Sequence, residues 1–531
     1  MKLKIPYPLL LVTAIILDRV TISSAQIQIG QSLRSLAILL GLISIAIYIL
    51  QYYYQVDWHY TNYIVLMIPL TYLVYRSLYR FLKINFSSAC PYLGLMLVFL
   101  FGVLYAGLVH RKTWRFIGNP VRITAYFSFV FSILLMLQIV RLAQSHYSLP
   151  ISTKHAQRNA ISAPDFEIRL YKNSPPDIYV IVLDSYARQD VLEVIYQYDN
   201  SEFTDWLQER GFYVATENHS NYVQTPYSMA SFWNFDYLPT WELAQEYDQY
   251  LYQPIQSNRV FHLLDEIGYT TISMKGSIHY AEIRNADMYL SSFLPLNDFE
   301  TLLLVDSPFE PLSNIFDLRL PLHTYKVHRQ QIYDQLELLK EIPAVVQSPK
   351  IVYTHILSPH PPFVFDQEGK VNEIDRPFTL AEGAAIQGGS SAYVNGYREQ
   401  VHYISTEIMK VIDVILNMSK IPPIIVVMGD HGPASQFNFD MNNPGCTWER
   451  TSNLYAVLLP GHKYNGILYP SISPVNTFRI IFNTYFDTHL PILEDKSYLR
   501  SWQQPAWNVD ITSERDSLHG CDISAEPFHG D

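Results

Sequence analysis

The chain has 531 residues, 49% of them hydrophobic, and a formal net charge of −12. That acidic balance argues against a nucleic-acid partner, because neutralising phosphates needs a basic surface. The mean hydropathy of +0.04 averages two unlike polymers: an apolar, acid-poor stretch up to about Arg141, then a mixture of charged, aromatic and Pro-containing segments long enough for a large α/β core.

A helix that crosses the hydrocarbon core needs about 20 predominantly apolar residues. Four stretches meet this, about Leu33–Tyr53, Tyr63–Leu82, Pro91–Val109 and Ile123–Leu142; a fifth, Tyr7–Val20, is shorter and contains Asp18-Arg19. Lys2 and Lys4 precede the fifth as they would a signal peptide. No small-residue cleavage site is evident and further spans follow, so it reads as an anchor. Arg111, Lys112, Arg115 and Arg122 form the densest basic cluster of this half, which the positive-inside rule puts in the cytoplasm. The last helix then exits outward, although Arg76, Arg80 and Lys83 pull the other way. The expectation is a protein integral to the cell membrane: a multi-span helical domain over 1–144, a polar linker over 145–176, and an extracellular or periplasmic domain over 177–500. Residues 501–531 form a tail with no clear period.

In the soluble part, Ile178–Leu183 is continuously apolar and β-branched, as a buried central strand is. Ser257 opens an amphipathic helix that Gly268 closes, and Thr270–Met274 follows as a strand. Ile351–Ile356 is the next strand. Apolar residues then recur at helical spacing over Ser391–Met418, ended by Pro422-Pro423. Residues 424–428 (IIVVM) and 453–461 (NLYAVLLPG) read as strands, and Thr477–Phe486 as a helix. This alternation predicts an α/β fold with a mostly parallel central sheet covered on both faces.

Ligands in such sheets bind at the carboxyl ends of the strands. Two buried strands end in acidic residues there: Asp184 follows the first, and Asp430-His431 follows Met428-Gly429. A carboxylate and an imidazole on adjacent loop residues suit a divalent cation. Between them in sequence, Thr225 stands just before a probable helix with Pro226 in its first turn. There a helix N-terminus would favour an anionic oxygen. By its position alone, however, Thr225 is an ordinary N-cap. His355, near a strand end, and His360, in the Pro-rich loop THILSPHPPF, are candidates to contact an anion or protonate a leaving group. Lys275 and His279 follow the Thr270–Met274 strand and could reach the same edge.

The ordered set LDSYAR, NYVQTPYSMAS, GYTTISMKGSIHY, THILSPHPPF and MGDHGP resembles the sulfatase-like hydrolase/transferase branch of the alkaline-phosphatase superfamily, over about Pro176–Ser497. Membrane-bound members include lipoteichoic acid synthases and phosphoethanolamine transferases. The resemblance implies an alkaline-phosphatase-like α/β/α sandwich with one divalent metal ion on Asp184, Thr225, Asp430 and His431. It also implies Thr225 as nucleophile and His360 in contact with the substrate, to which His355, Lys275 and His279 are added as substrate-side candidates by their positions. The chain departs from the formylglycine sulfatases at the nucleophile, where it has Thr225 with no modifiable Cys and no Arg in the run. Ser185 also stands where they carry a second acid after the first strand.

The expected function is therefore phosphoryl transfer through a covalent threonine intermediate, with a membrane lipid or cell-envelope polymer as substrate. The alternatives are a sulfuric ester hydrolase or phosphodiesterase, and a catalytically inactive membrane protein that binds a partner. Cys446 and Cys521 are the only cysteines of the soluble part. Facing an oxidising compartment, they would be expected to pair.

Overall fold

The computed structural model describes residues 6–22, 29–85, 120–147, 175–238, 254–291, 298–304, 307, 324–374, 378–380, 389–439, 443–461, 466–500 and 508–523. The predicted span at 91–109 and most of the 145–176 linker lie outside these. The chain divides into two compact units, one built on residues 1–153 with 293–327 and 375–378, the other on the remainder.

The first unit contains helices Tyr7–Ile22, Ile29–Tyr52, Trp58–Asn85 and Pro120–Tyr147. Among the described residues, two helical stretches are long and apolar enough to cross a membrane: Ser32–Tyr52, with mean hydropathy 2.3, and Val121–Arg141, with 2.1. Leu33, Ile38, Leu42 and Ile45 on one, and Phe129, Met136 and Leu137 on the other, are exposed apolar side chains. The starts of three helices meet where the ring of Tyr7 packs on Tyr63 and Phe127.

The second unit is an α/β domain around a seven-stranded sheet of order β2-β7-β6-β1-β5-β3-β4. Its strands are β1 (Ile178–Leu183), β2 (Tyr213–Val214), β3 (Thr270–Met274), β4 (Met288–Leu290), β5 (Lys350–Ile356), β6 (Ile424–Met428) and β7 (Tyr455–Leu458). The central strand β1 pairs in parallel with β5 and β6, in the register Leu183↔Ile356 and Val182↔Met428. Parallel pairing continues through β3 and β4. Every residue of β1, β5 and β6 is buried, which is why β1 and β6 carry apolar residues at successive positions. The strand read at 453–461 is β7, and it runs antiparallel to β6. A continuous apolar run states burial but not direction.

Helices pack against the sheet. The Gly389–Met418 helix buries Val401, Ile404, Ile408, Val411, Ile412 and Ile415. The short helix read from Ser257 runs Arg259–Glu266, and its cap is Asn258, whose side chain accepts from the Phe261 amide. The Thr225–Asn234 helix packs with Thr477–Tyr485 through Phe232, Trp233 and Phe478. A small antiparallel pair, β8 (Tyr498–Arg500) with β9 (Asn508–Asp510), spans the boundary expected at residue 500. Cys446 and Cys521 are disulfide-bonded across 75 residues of sequence, fastening this C-terminal segment to the loop after β6.

Candidate active site

Because β1, β5 and β6 lie in parallel register, their carboxyl ends open at one edge. Asp184 and the Asp430-His431 pair come together there, with ligand atoms within 4.8 Å of one another. All three side chains are buried. Close packing shapes the turn: a Cβ on Gly432 would stand 2.0 Å from the Glu449 carbonyl oxygen, so only glycine fits. Ser185 takes a left-handed backbone (φ 62°), which costs a residue with a Cβ about 1–3 kcal/mol. In return its amide donates to Asp430 Oδ1 at 3.1 Å and its hydroxyl to Asp184 Oδ1 at 3.0 Å.

Thr225 opens the ten-residue helix Thr225–Asn234, with Pro226 in the first turn. The N-cap is Gln224, which makes no side-chain cap bond. The Thr225 hydroxyl is not spent on capping. Its Oγ1 lies 3.0 Å from Nε2 of His431, and the side chain remains slightly accessible at 6%. Ser228, one turn on, donates to the Asp430 carbonyl at 2.6 Å and locks this helix onto the metal-type loop.

The proton on His431 follows from its neighbours. Nδ1 lies 3.0 Å from the Gly432 carbonyl oxygen, which can only accept, so Nδ1 carries the hydrogen. Nε2 then presents its lone pair toward Thr225 and stands 3.2 Å from Asp430 Oδ2. That carboxylate oxygen is buried and has no hydrogen-bond partner. A cation within reach of both atoms would give that oxygen a partner. The donor set of two carboxylates, an imidazole held by Nδ1–H···O=C and a hydroxyl fits a divalent metal on chemical grounds.

His355 donates to Asp184 Oδ2 at 2.9 Å from full burial in β5. Burial opposes ionising Asp184, yet His360, His355 and His431 together hold its carboxyl well below the usual range. His355 is shifted upward: burial lowers it, but the bond to Asp184 and the charges of Asp184 and Asp430 outweigh that. The backbone of His360 donates to the Asp184 carbonyl at 3.1 Å, and its ring Nδ1 donates to the Pro361 carbonyl.

The other two predicted residues follow β3. Lys275 follows β3, its amide donating to the Leu290 carbonyl. His279 begins a 3₁₀ turn, and its side chain lies outside the described residues. Sequence reading missed His328, whose Nδ1 lies 2.9 Å from Ser277 Oγ. Burial, then the charges of His360 and Arg329, push its imidazole down to about 3. It missed Tyr397, which donates to the Ser185 carbonyl at 2.6 Å and accepts from the Ala187 amide. It also missed Arg450, buried beside His431. None sits in a motif; each reaches the site only through tertiary packing.

Residues 176–465 match the Sulfatase family model, more than half of the chain, and the protein belongs to that family. It is an enzyme of the sulfatase-like hydrolase and transferase branch of the alkaline-phosphatase superfamily. Among solved structures, it is similar to the zinc complex of the C-terminal periplasmic domain of EcEptC from Escherichia coli: 11% identity, 67% of this chain and 98% of that one, TM-score 0.45. It is similar also to the soluble domain of lipooligosaccharide phosphoethanolamine transferase A from Neisseria meningitidis: 12% identity, 60% and 89% covered, TM-score 0.36. A third is the phosphonate monoester hydrolase of Agrobacterium radiobacter: 11% identity, 61% and 80% covered, TM-score 0.39. No curated protein matches the chain.

Proposed function

We propose that this enzyme is a membrane-anchored, metal-dependent phosphoryl transferase or phosphodiesterase in which Thr225 is the nucleophile. The observation that carries the reading is the Thr225 hydroxyl: it stands at a helix N-terminus, makes no cap bond, and lies 3.0 Å from His431 Nε2. A divalent cation held by Asp184, Thr225, Asp430 and His431 would supply Lewis-acid charge to the threonine oxygen and to a non-bridging substrate oxygen.

The chain's own residues account for the rest. Thr225 Oγ1 gives its proton to solvent and attacks phosphorus, and the bond from phosphorus to the leaving alcohol breaks. His360, beside Asp184, gives that alcohol its proton. A second alcohol or water, giving its proton back to His360, then attacks phosphorus, the Thr225–phosphorus bond breaks, and Thr225 Oγ1 recovers a proton from solvent. His355 holds the Asp184 carboxylate in place and keeps it ionised. The two long apolar helices support a membrane anchor, and the basic cluster Arg111, Lys112, Arg115 and Arg122 supports an outward-facing catalytic domain. A lipid head group or envelope polymer is then the substrate within reach. Absence of a Cys at position 225 favours phosphoryl over sulfuryl chemistry.

The test is turnover of a chromogenic phosphodiester by the purified full-length protein, with mass spectrometry for a phosphoryl adduct. Activity lost in Thr225→Ala and an adduct on the Thr225 peptide in wild type are expected. Turnover by Thr225→Ala near the wild-type rate would refute the nucleophile.

A further inference from the structure

Arg450 is buried at 1% exposure, and its guanidinium fork bridges the two loops that make the site. Nε donates to the Val223 carbonyl at 2.8 Å, two residues before Thr225. Nη1 donates to the Gly432 carbonyl at 3.0 Å, one residue after His431. The third arm, Nη2, lies 3.2 Å from Nε2 of His431. The rings of Phe437 and Phe439 stand 5.6 and 5.4 Å from the guanidinium carbon, within cation–π range.

The third contact is the informative one. With the hydrogen on Nδ1, the Nε2 lone pair is the only acceptor that ring offers, and both Thr225 Oγ1 and Arg450 Nη2 point to it. His431 holding a cation through Nε2 would commit that lone pair, and Nη2 would no longer donate to this nitrogen while Nε and Nη1 stay anchored to their carbonyls. A guanidinium arm held in a buried site beside a reacting hydroxyl is placed to donate to an anionic oxygen, and a tetrahedral phosphoryl group on Thr225 supplies one.

We propose that Arg450 is the anion-binding residue of the site: Nη2 passes from His431 Nε2 to a non-bridging oxygen of the phosphoryl group when the metal position is filled. The proposal rests on the Thr225 reading and deepens it. Arginine suits this place because it never loses its charge and its fork geometry is fixed by the two anchored arms. A donor already positioned in a buried site stabilises charge that develops during transfer without reorganising. The same two anchors make Arg450 a brace between the nucleophile loop and the His431 loop, so its substitution has to be read by anion binding as well as by rate.

The experiment titrates inorganic phosphate into metal-loaded, full-length protein by calorimetry, with metal content measured separately. Arg450→Gln should keep its metal and bind phosphate at least about tenfold more weakly, the scale of one charged hydrogen bond lost. Arg450→Lys, which keeps the charge without the fork, should fall between, and it serves alone if the Gln variant does not fold. Phosphate affinity equal to wild type in either metal-loaded variant would overturn the proposal, as would loss of the metal from both. Thr225→Ala, run in parallel, separates the two readings: turnover surviving there removes the nucleophile, whereas unchanged phosphate affinity in the Arg450 variants removes only this role for the arginine.

Discussion

The strand pair β1/β5 carries a buried ionic group at each of its ends, and the two are built differently. At the amino end, Asp177 meets Lys350: Nζ donates to Oδ2 at 2.5 Å, the Lys350 amide to Oδ1 at 3.1 Å, and Ser348 Oγ to Oδ2 at 2.9 Å. Lys350 Nζ also donates to the Val346 carbonyl at 3.1 Å. At the carboxyl end, Asp184 is similarly bonded, to Ser185 and His355. Asp430, however, leaves one oxygen without a hydrogen bond, 3.2 Å from an imidazole nitrogen. Buried charges in folded proteins are ordinarily matched, since each unmatched one costs several kcal/mol. The matched end is a clasp between strands. The unmatched end is the candidate site, and a cation held there would supply the missing charge.

Substitutions that separate chemistry from stability sharpen this contrast. The largest effect belongs to Thr225→Ala, which should lower turnover at least about a thousandfold if the metal and helix activate that hydroxyl. Folding stability should change by no more than about 1 kcal/mol, because no cap bond is lost. The opposite pattern is expected at the other end. Lys350→Met strands the Asp177 carboxylate in a buried position, which costs about 3–5 kcal/mol, while turnover per folded molecule stays at the wild-type value. Denaturant unfolding and active-site-normalised rates measure both. A Lys350→Met protein as stable as wild type would erase the distinction between the two ends.

The two ends were unequally legible. Asp184, Asp430 and His431 could be read because each follows a run of apolar residues long enough to be a buried strand, and strand ends in parallel sheets converge. Thr225 was visible but ambiguous: its sequence position is that of an N-cap, and only the structure assigns the cap to Gln224. Asp177–Lys350 and the Arg450 contacts were invisible. They join residues 173, 227 and 18 positions apart, and a charged residue in a non-periodic stretch reads as exposed until its partner is known. The antiparallel direction of β7 was equally hidden, since a strand buried on both faces has no pattern that encodes orientation.

A third ionisable group lies away from both ends and adds a pH dependence of its own. His219 is buried, its Nε2 2.7 Å from Asp516 and its Nδ1 2.9 Å from Thr451 Oγ1. Burial, with help from Arg188 and Arg515, pushes its imidazole down to about 4 despite the hydrogen bond to Asp516. The folded state therefore resists a proton that the unfolded chain accepts near pH 6.5. Its stabilising contribution is complete above pH 6.5 and is lost as pH falls toward 4. Integrating the linkage gives roughly 2–3 kcal/mol by pH 4.5. His219→Gln, neutral throughout, should lose less stability than wild type between pH 7 and pH 4.5 in denaturant titrations. Equal losses would mean that His219 is not held neutral in the folded protein.

The smallest stability effect, and the sharpest comparison with Lys350→Met, is expected for Asp430→Asn in the metal-free protein. The amide oxygen can take over from Oδ1 as acceptor for the Ser185 amide, now at 3.1 Å. The amide nitrogen then occupies the place of Oδ2, 3.2 Å from His431 Nε2. There a buried oxygen without a partner disappears, replaced by a neutral donor. The variant should be within about 1 kcal/mol of wild type, or more stable, since replacing an unsatisfied buried group removes a desolvation cost. Metal uptake, measured by equilibrium dialysis, should be lost at the same time, because the charge that balances the cation has gone. Wild-type stabilisation on adding metal should vanish with it. A loss of more than about 2 kcal/mol in the metal-free variant would mean that Asp430 is a structural acid like Asp177, and the carboxyl edge of the sheet would then need another explanation.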